Sequence, residues 1–416
     1  MPDTPRAPAL DDTLALLREG YTFIGRRCDA LGTDLFATRL MMTPVLCMRG
    51  AEAARMFYAP GRFTRQGAMP RSTLWLLQDK GSVQALDGAA HRHRKAMFMA
   101  MMSPAAIARA ADLLEKHWRE ALPRWEAAGE VALFEEMGLL LTRVACDWAG
   151  VPLREADAPT LAAELTAMIE YSGRVSPGTL NALRLRARTE RRMRALVREI
   201  RAGAVPVPEG SAAALIAAHR APDGTPLDEK AAAVELINIL RPTVAVGRFI
   251  AFAALALHEN PAWRARFAAG EEADLEPFVQ EVRRFYPFFP MIGGRACEAF
   301  EWRGHRFAAG DWVLLDLYGT NHDPRLWPEP QRFRPERFHG WPGDPDTLVP
   351  QGAGDPHQGH RCPGEWITIA LMARAVKLLS QAMRYALPPQ DLSIRLNRMP
   401  AMAESGVRLR EIRRAA

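Results

Sequence analysis

Pro350-Gln351-Gly352-Ala353-Gly354-Asp355-Pro356-His357-Gln358-Gly359-His360-Arg361-Cys362-Pro363-Gly364-Glu365-Trp366 decides the reading of this chain. Its glycines and prolines hold it as a loop up to Cys362. After Gly364, the spacing of Ile367, Ile369, Leu371, Met372, Val376, Leu378 and Leu379 predicts a buried helix. Cys362 therefore stands in a structured loop just ahead of a helix N-terminus, whose positive end favours a thiolate over a thiol. His360 and Arg361 add donors beside the sulfur. Taken alone, one cysteine in a Gly-rich loop reads as a structural feature. Other parts of the chain change that weighting.

Glu281-Val282-Arg283-Arg284 places Glu281 and Arg284 three residues apart on one helix face, where they can pair. Pro335-Glu336-Arg337-Phe338 follows, and then Gly359-His360-Arg361-Cys362-Pro363-Gly364. This order of three motifs resembles the cytochrome P-450 superfamily. The resemblance implies a mainly α fold with small β-sheets (α+β), a helical lobe and a smaller sheet-containing lobe around one haem b. It implies Cys362 as the thiolate ligand of the haem iron, pushing electron density toward O–O cleavage. Glu281 and Arg284 then brace the cysteine loop. The helix expected from Asp87 or Gly88 carries His91 and Lys95 at i, i+4, the spacing with which this superfamily reaches the haem propionates. The plainer reading of that helix is a surface element with basic residues.

The pattern Val234, Leu236, Ile237, Ile239, Leu240, Val244, Val246, Phe249, Ile250, Phe252 predicts a long buried helix, capped by Asp228 and ending near Asn260-Pro261. Inside it lies Asn238-Ile239-Leu240-Arg241-Pro242-Thr243. A proline inside a helix costs on the order of 3 kcal/mol, and a buried arginine is costly unless paired. A kink with Arg241 reaching an internal carboxylate is the plainer account. Monooxygenases of the superfamily carry an acid and an alcohol here. Arg241-Pro242 in their place resembles the bacterial fatty-acid peroxygenase branch. Asp316-Leu317-Tyr318-Gly319-Thr320-Asn321-His322-Asp323, and Gln351 where a phenylalanine is usual, agree with that branch.

That likeness implies hydrogen peroxide as oxidant, a long-chain fatty acid as substrate and no redox partner. Arg241 would hold the substrate carboxylate, which acts as general base and then acid. Gln84 occupies the distal position where the branch carries glutamine or histidine. Phe288, Phe289 and Pro290 border the substrate end. The products in question are a 2-hydroxy acid, a 3-hydroxy acid or, by loss of carbon dioxide, a terminal alkene. Glutamine cannot relay a proton as imidazole can, so Gln84 favours hydroxylation. A dioxygen-dependent monooxygenase served by a reductase, and a non-catalytic haem-thiolate sensor or fatty-acid carrier, are the competing readings.

Bulk properties agree with a globular protein: 416 residues, 25% charged and 48% hydrophobic. Residues 1–10 are expected to be flexible and 11–416 to form one domain. Five scattered cysteines (Cys28, Cys47, Cys146, Cys297, Cys362) argue against a disulfide framework and for a reducing, cytoplasmic setting. No membrane anchor is expected, because the apolar run Thr243 to Leu257 is split by Arg248. Net charge is +6, and eight arginines lie between Arg184 and Arg201. That helix reads as a solvated basic face, and nothing suggests nucleic-acid recognition. Short helices are expected over Asp11–Glu19 and Ala51–Tyr58, with a strand at Pro44–Met48. Residues 62–90 are expected to be irregular. Helices should follow through 103–220 with breaks near Pro123, Gly150–Pro152 and Ser176–Gly178, and short strands in the tail, 391–412.

Overall fold

The computed structural model describes residues 4–78, 81–174 and 176–415. Its frame is the central helix, Glu229–Glu259. Asp228 starts it as the sequence predicts: its Oδ1 accepts the backbone N–H groups of Lys230 at 2.9 Å and Ala231 at 3.0 Å. At 31 residues it runs about 46 Å. Helices Leu133–Ala149, Ala158–Glu170, Pro177–Arg201 and Glu365–Lys377 pack around it, so its apolar side chains are buried on all sides. Gly247 lets the first of these approach closely, since a Cβ there would stand 2.9 Å from the Cβ of Met137. The central helix is long and apolar enough to cross a membrane. However, 89% of that apolar window is buried inside the protein, which marks it as a core helix.

The smaller lobe is a five-stranded sheet in the order Leu35–Leu40, Thr43–Met48, Trp312–Asp316, Met291–Ala296, Phe63–Thr64. Only the pairing of Thr43–Met48 with Trp312–Asp316 is parallel. Alternation along the strands builds two cores. Leu46, Met48, Val313 and Leu315 face Ala53, Ala54 and Phe57 of helix Ala51–Tyr58. Val45, Cys47, Trp312 and Leu314 face Phe23, Ile24 and Cys28 of helix Phe23–Leu31.

Several expectations change. Pro5 and Ala7 are tied to the sheet: Ala7 N donates to Ala37 O at 3.0 Å and Ala37 N to Pro5 O at 2.8 Å. That part of the expected flexible stretch 1–10 is therefore anchored, while residues 1–3 lie outside the described residues. The expected irregular region 62–90 contains strand Phe63–Thr64 and helix Arg71–Leu77. Asp87 stands at the N-cap of helix Gly88–Ala100 but does not cap it with its side chain. Its carboxylate instead accepts from Thr64 Oγ1 at 2.6 Å and Gln66 Nε2 at 3.2 Å. Pro123 does not break helix Pro104–Ala128. It lies on the exposed side, where water can satisfy the carbonyl it leaves free, while Trp118, Leu122 and Trp125 bury the opposite stripe. In the tail, only Arg408–Arg414 forms a strand, pairing with Glu130–Ala132 and Met383–Ala386. The alternating Leu392, Ile394, Leu396 stretch contributes a single bridge, Ile394 to Ala403.

Candidate functional site

The cysteine loop is held from below. Cys362 N donates to Gln351 O at 3.1 Å. Gly352 has φ +99°, and a Cβ there would lie 2.7 Å from the Tyr58 hydroxyl, so only glycine fits. Gln351 Nε2 stands 3.8 Å from Cys362 Sγ and 3.2 Å from Thr368 Oγ1, while its Oε1 accepts from Arg283 at 3.1 Å. Arg283 thereby fixes which end of the amide meets the sulfur. Arg283 also pairs with Glu365, which holds Arg361 at 2.6 Å. Arg361 is thus spent on Glu365 rather than placed as a donor to the sulfur. Burial pushes the Cys362 thiol up, while the Gly364 N–H, the Lys95 charge and the Gln351 amide pull it down.

Glu281 and Arg284 are both fully buried and pair at 2.7 Å and 2.8 Å, but their further hydrogen bonds go to other segments, and it is Arg283 that reaches the cysteine loop, through Gln351 and Glu365. Arg284 donates onward to Asn321 O at 2.9 Å and Pro330 O at 3.1 Å, and Glu281 accepts from Arg334 N at 2.7 Å and from Arg337 at 3.1 Å. The pair therefore knits its helix, Leu275–Phe285, to the segment leading into Pro335–Phe338.

A basic cluster lies beside the loop. The His91 and His360 rings are 4.0 Å apart, and Lys95 donates to Gly359 O at 3.2 Å and to Arg361 O. Arg65, brought in by strand Phe63–Thr64, donates to Gly293 O at 3.1 Å. Burial, followed by the neighbouring positive charges, pushes His360 down to about 2; burial and Lys95 push His91 down to about 4. Burial lowers Lys95 to about 8 and also lowers Arg65. The nearby carboxylate, Asp87, is 3.9 Å from His360 and already engaged by Thr64.

Arg241 is 4% exposed. It donates to Leu76 O at 3.1 Å, to Leu77 O and to Asn238 Oδ1 at 3.0 Å. Among the described residues no carboxylate lies within ion-pair distance of it. The plainer expectation, an internal carboxylate partner, is therefore not met there. Burial, then Arg186, push it down to about 9. Pro242 beside it lacks the N–H that the Asn238 carbonyl would accept. Gln84 Oε1 accepts from Asn238 Nδ2 at 3.1 Å, and Asn238 Nδ2 also reaches Glu235 Oε2 at 2.9 Å. One turn further along the same helix face, Val244, Ala245 and Arg248 enter an apolar cleft of ≈ 290 Å³ walled by Phe134, Ala162 and Thr166.

Three comparisons bear on this geometry. The family profile Cytochrome P450 matches residues 275–399. A single-site variant of cytochrome P-450SP alpha superposes with a TM-score of 0.96 at 45% identity, covering 98% of this chain and 100% of that one. The chain belongs to the cytochrome P-450 family. Cytochrome P-450EX alpha, solved with myristic acid, superposes with a TM-score of 0.95 at 39% identity over 99% of each chain. Among curated relatives, the geissoschizine oxidase of Alstonia scholaris is 38% identical over 91 residues, which is 21% of this chain and 17% of that protein's length.

The cofactor of this cytochrome P-450 is haem b on a cysteine thiolate, and the residues present fit it. Cys362 is the loop cysteine, with an amide donor aimed at its sulfur. The gathered His91, Lys95, His360 and Arg65 lack a matching number of carboxylates, a deficit that the two propionates of a haem would relieve. Sequence reasoning missed Arg65, which a strand pairing brings in from 297 residues' separation from Cys362. It noted Gln351 as a departure without assigning the sulfur contact, and it passed over Arg283. Arg295, on the inner strand Met291–Ala296, donates to Gly67 O at 3.1 Å and Gly310 O at 3.2 Å. Phe288 stacks on Phe249 of the central helix at 4.2 Å. Phe289 is 42% exposed and meets the edge of Phe288, and the Pro290 carbonyl is held by Leu317 N at 3.0 Å.

Proposed function

We propose that this cytochrome P-450 is a peroxygenase that uses hydrogen peroxide to hydroxylate long-chain fatty acids at the α or β carbon. The observation that carries this reading is Arg241, a buried guanidinium held only by neutral acceptors among the described residues. A cation placed so awaits an anion, and its planar fork suits a carboxylate. The related structure solved with myristic acid supports a fatty acid as that anion's source.

Haem b, when bound on Cys362, supplies the oxidising chemistry. The protein's own residues do the rest. Arg241 fixes the carboxylate and keeps it ionised, and Pro242 beside it removes one backbone donor from the site. The held carboxylate accepts a proton from hydrogen peroxide and returns it to the departing oxygen, so that one peroxide and one C–H bond yield one hydroxyl group and one water. Holding the acid by its head leaves its first carbons nearest the reaction. Gln84, an amide tied to Asn238, offers no imidazole for proton relay, and hydroxylation is favoured over decarboxylation. His91, Lys95, His360 and Arg65 receive the propionates. Phe288 lines the substrate end, with Phe289 and Pro290 at its rim. No redox partner takes part. With five unpaired cysteines, a reducing cytoplasmic setting fits.

The test incubates the purified ferric protein with hydrogen peroxide and a C14 fatty acid, without reductase, beside an Arg241→Ala variant. Hydroxy acids from the wild type alone are expected. Terminal alkene as the main product would shift the reading to decarboxylation. No product with peroxide, but turnover with dioxygen and a reductase, would overturn it.

A further inference from the structure

Arg241 and Gln84 are both oriented by a carboxylate that neither of them touches. Glu235 is fully buried, two turns before Pro242 on the central helix. Its Oε1 accepts from Val83 N at 2.9 Å and Arg94 at 2.8 Å, and its Oε2 accepts from Asn238 Nδ2 at 2.9 Å. An asparagine amide has one donating and one accepting end. The Glu235 carboxylate, paired with Arg94, requires the donating end. The Arg241 guanidinium, which can only donate, requires the accepting end at 3.0 Å. Both neighbours therefore fix Asn238 in the same orientation. The same Asn238 N–H group meets Gln84 Oε1 at 3.1 Å, so the Gln84 oxygen is turned to Asn238 and its amide nitrogen is the end left for other partners. Glu235 also grips the Val83 backbone next to Gln84, within the single turn Val83–Ala85.

We propose that Glu235 is a positioning residue that sets the hydrogen-bond polarity of the substrate-carboxylate site: through Asn238 it gives Arg241 an acceptor and leaves Gln84 to present N–H rather than oxygen. This rests on the fatty-acid reading of Arg241. Without the carboxylate at 235, Arg241 alone still holds Asn238 in that orientation, the Nδ2 end loses its charged acceptor, and a turned Asn238 sets a donor against Arg241 and releases Gln84. An oxygen from Gln84 then faces an incoming carboxylate instead of a donor.

The experiment compares the affinity of the haem-loaded enzyme for a C14 fatty acid and for the C14 alcohol, by calorimetric titration. The ratio of the two isolates recognition of the charged head from recognition of the chain. Wild type is expected to prefer the acid, and Arg241→Leu to lose that preference. Glu235→Gln is expected to lower the acid-over-alcohol ratio about tenfold with alcohol affinity unchanged, a split that a merely structural role would not produce. Should Glu235→Gln fail to fold, Asn238→Leu, which removes the acceptor from Arg241, is read in the same way. A wild-type ratio in these variants, with Arg241→Leu having lost it, overturns the role of Glu235 alone. A wild-type ratio in Arg241→Leu overturns the fatty-acid reading and this role with it.

Discussion

Replacing Arg241 by leucine separates binding from stability. In the substrate-free protein the guanidinium is pushed from 12.5 to about 9 by burial and by Arg186, which corresponds to roughly 5 kcal/mol of unrelieved charge. The substitution removes that cost. It also takes a donor from the Leu76 and Leu77 carbonyls and from Asn238, at about 1–2 kcal/mol each. These terms nearly cancel, so the substrate-free variant should melt close to wild type, whereas breaking a buried ion pair costs about 3–5 kcal/mol. A fatty acid at 100 times its Kd stabilises the wild type by about 2.7 kcal/mol. For 416 residues, an unfolding entropy of about 2.1 cal/mol/K per residue turns this into a Tm rise of about 3 °C. The variant should show no such rise at the same concentration. Differential scanning calorimetry of the haem-loaded proteins, with and without a C14 acid, reads both quantities. A variant still stabilised by the acid would refute the carboxylate site. A variant destabilised by the full amount of a broken buried pair would show that Arg241 is a structural strut.

Three further outcomes follow from other parts of the molecule. Gln351→Leu removes the amide donor 3.8 Å from Cys362 Sγ, which should make the thiolate more electron-rich and the haem reduction potential more negative in spectroelectrochemistry; an unchanged potential would discount the contact. Glu281→Gln takes the carboxylate from buried Arg284 and Arg337 and should cost about 3–5 kcal/mol, seen as a lower denaturant midpoint, and a wild-type midpoint would discount the pair as a stabilising element. Burial pushes His219 down to about 4 from 6.5. The unfolded chain therefore binds the proton first, and stability is whole above pH 6.5 and declines as pH falls toward 4. His219→Phe should flatten that part of a Tm–pH profile, and an unaltered slope would assign the acid sensitivity to other groups.

The parts of this site legible in the sequence were those carried by short, contiguous chemistry. The loop glycines around Cys362, the three-residue step from Glu281 to Arg284 and the Arg241-Pro242 pair inside an apolar helix each violate or punctuate a local pattern, and each proved to be where the structure concentrates its polar contacts. What stayed hidden depends on pairing between distant segments. Arg65 looks like an ordinary loop cation until strand Phe63–Thr64 pairs with Met291–Ala296. His91 and His360 both stand in legible motifs, yet nothing local says that their rings meet at 4.0 Å. Pro123 reads as a break because the rule against helix prolines ignores which side faces water. Phe289, expected at the substrate end, is 42% exposed, which sequence pattern alone does not show.

The buried arginines make the functional argument by contrast. Arg49 pairs with Asp29, Arg186 with Glu190, Arg248 with Glu170, Arg283 with Glu365 and Arg284 with Glu281. Burying a guanidinium costs several kcal/mol, and a carboxylate in contact is the usual compensation. Among the described residues, Arg65 and Arg241 are the two buried arginines without one. They lie on different sides of the same problem. Arg65 stands in the basic cluster beside the cysteine loop, where the propionates of a haem would supply the missing anions. Arg241 stands on the central helix, among neutral acceptors, where haem carboxylates are already accounted for by the other cluster. On the proposed reading, a second anion, one that arrives with the substrate, would meet Arg241. A carboxylate-headed substrate supplies that anion and brings, in the same group, the base that a helix carrying Arg241-Pro242 in place of an acid does not provide.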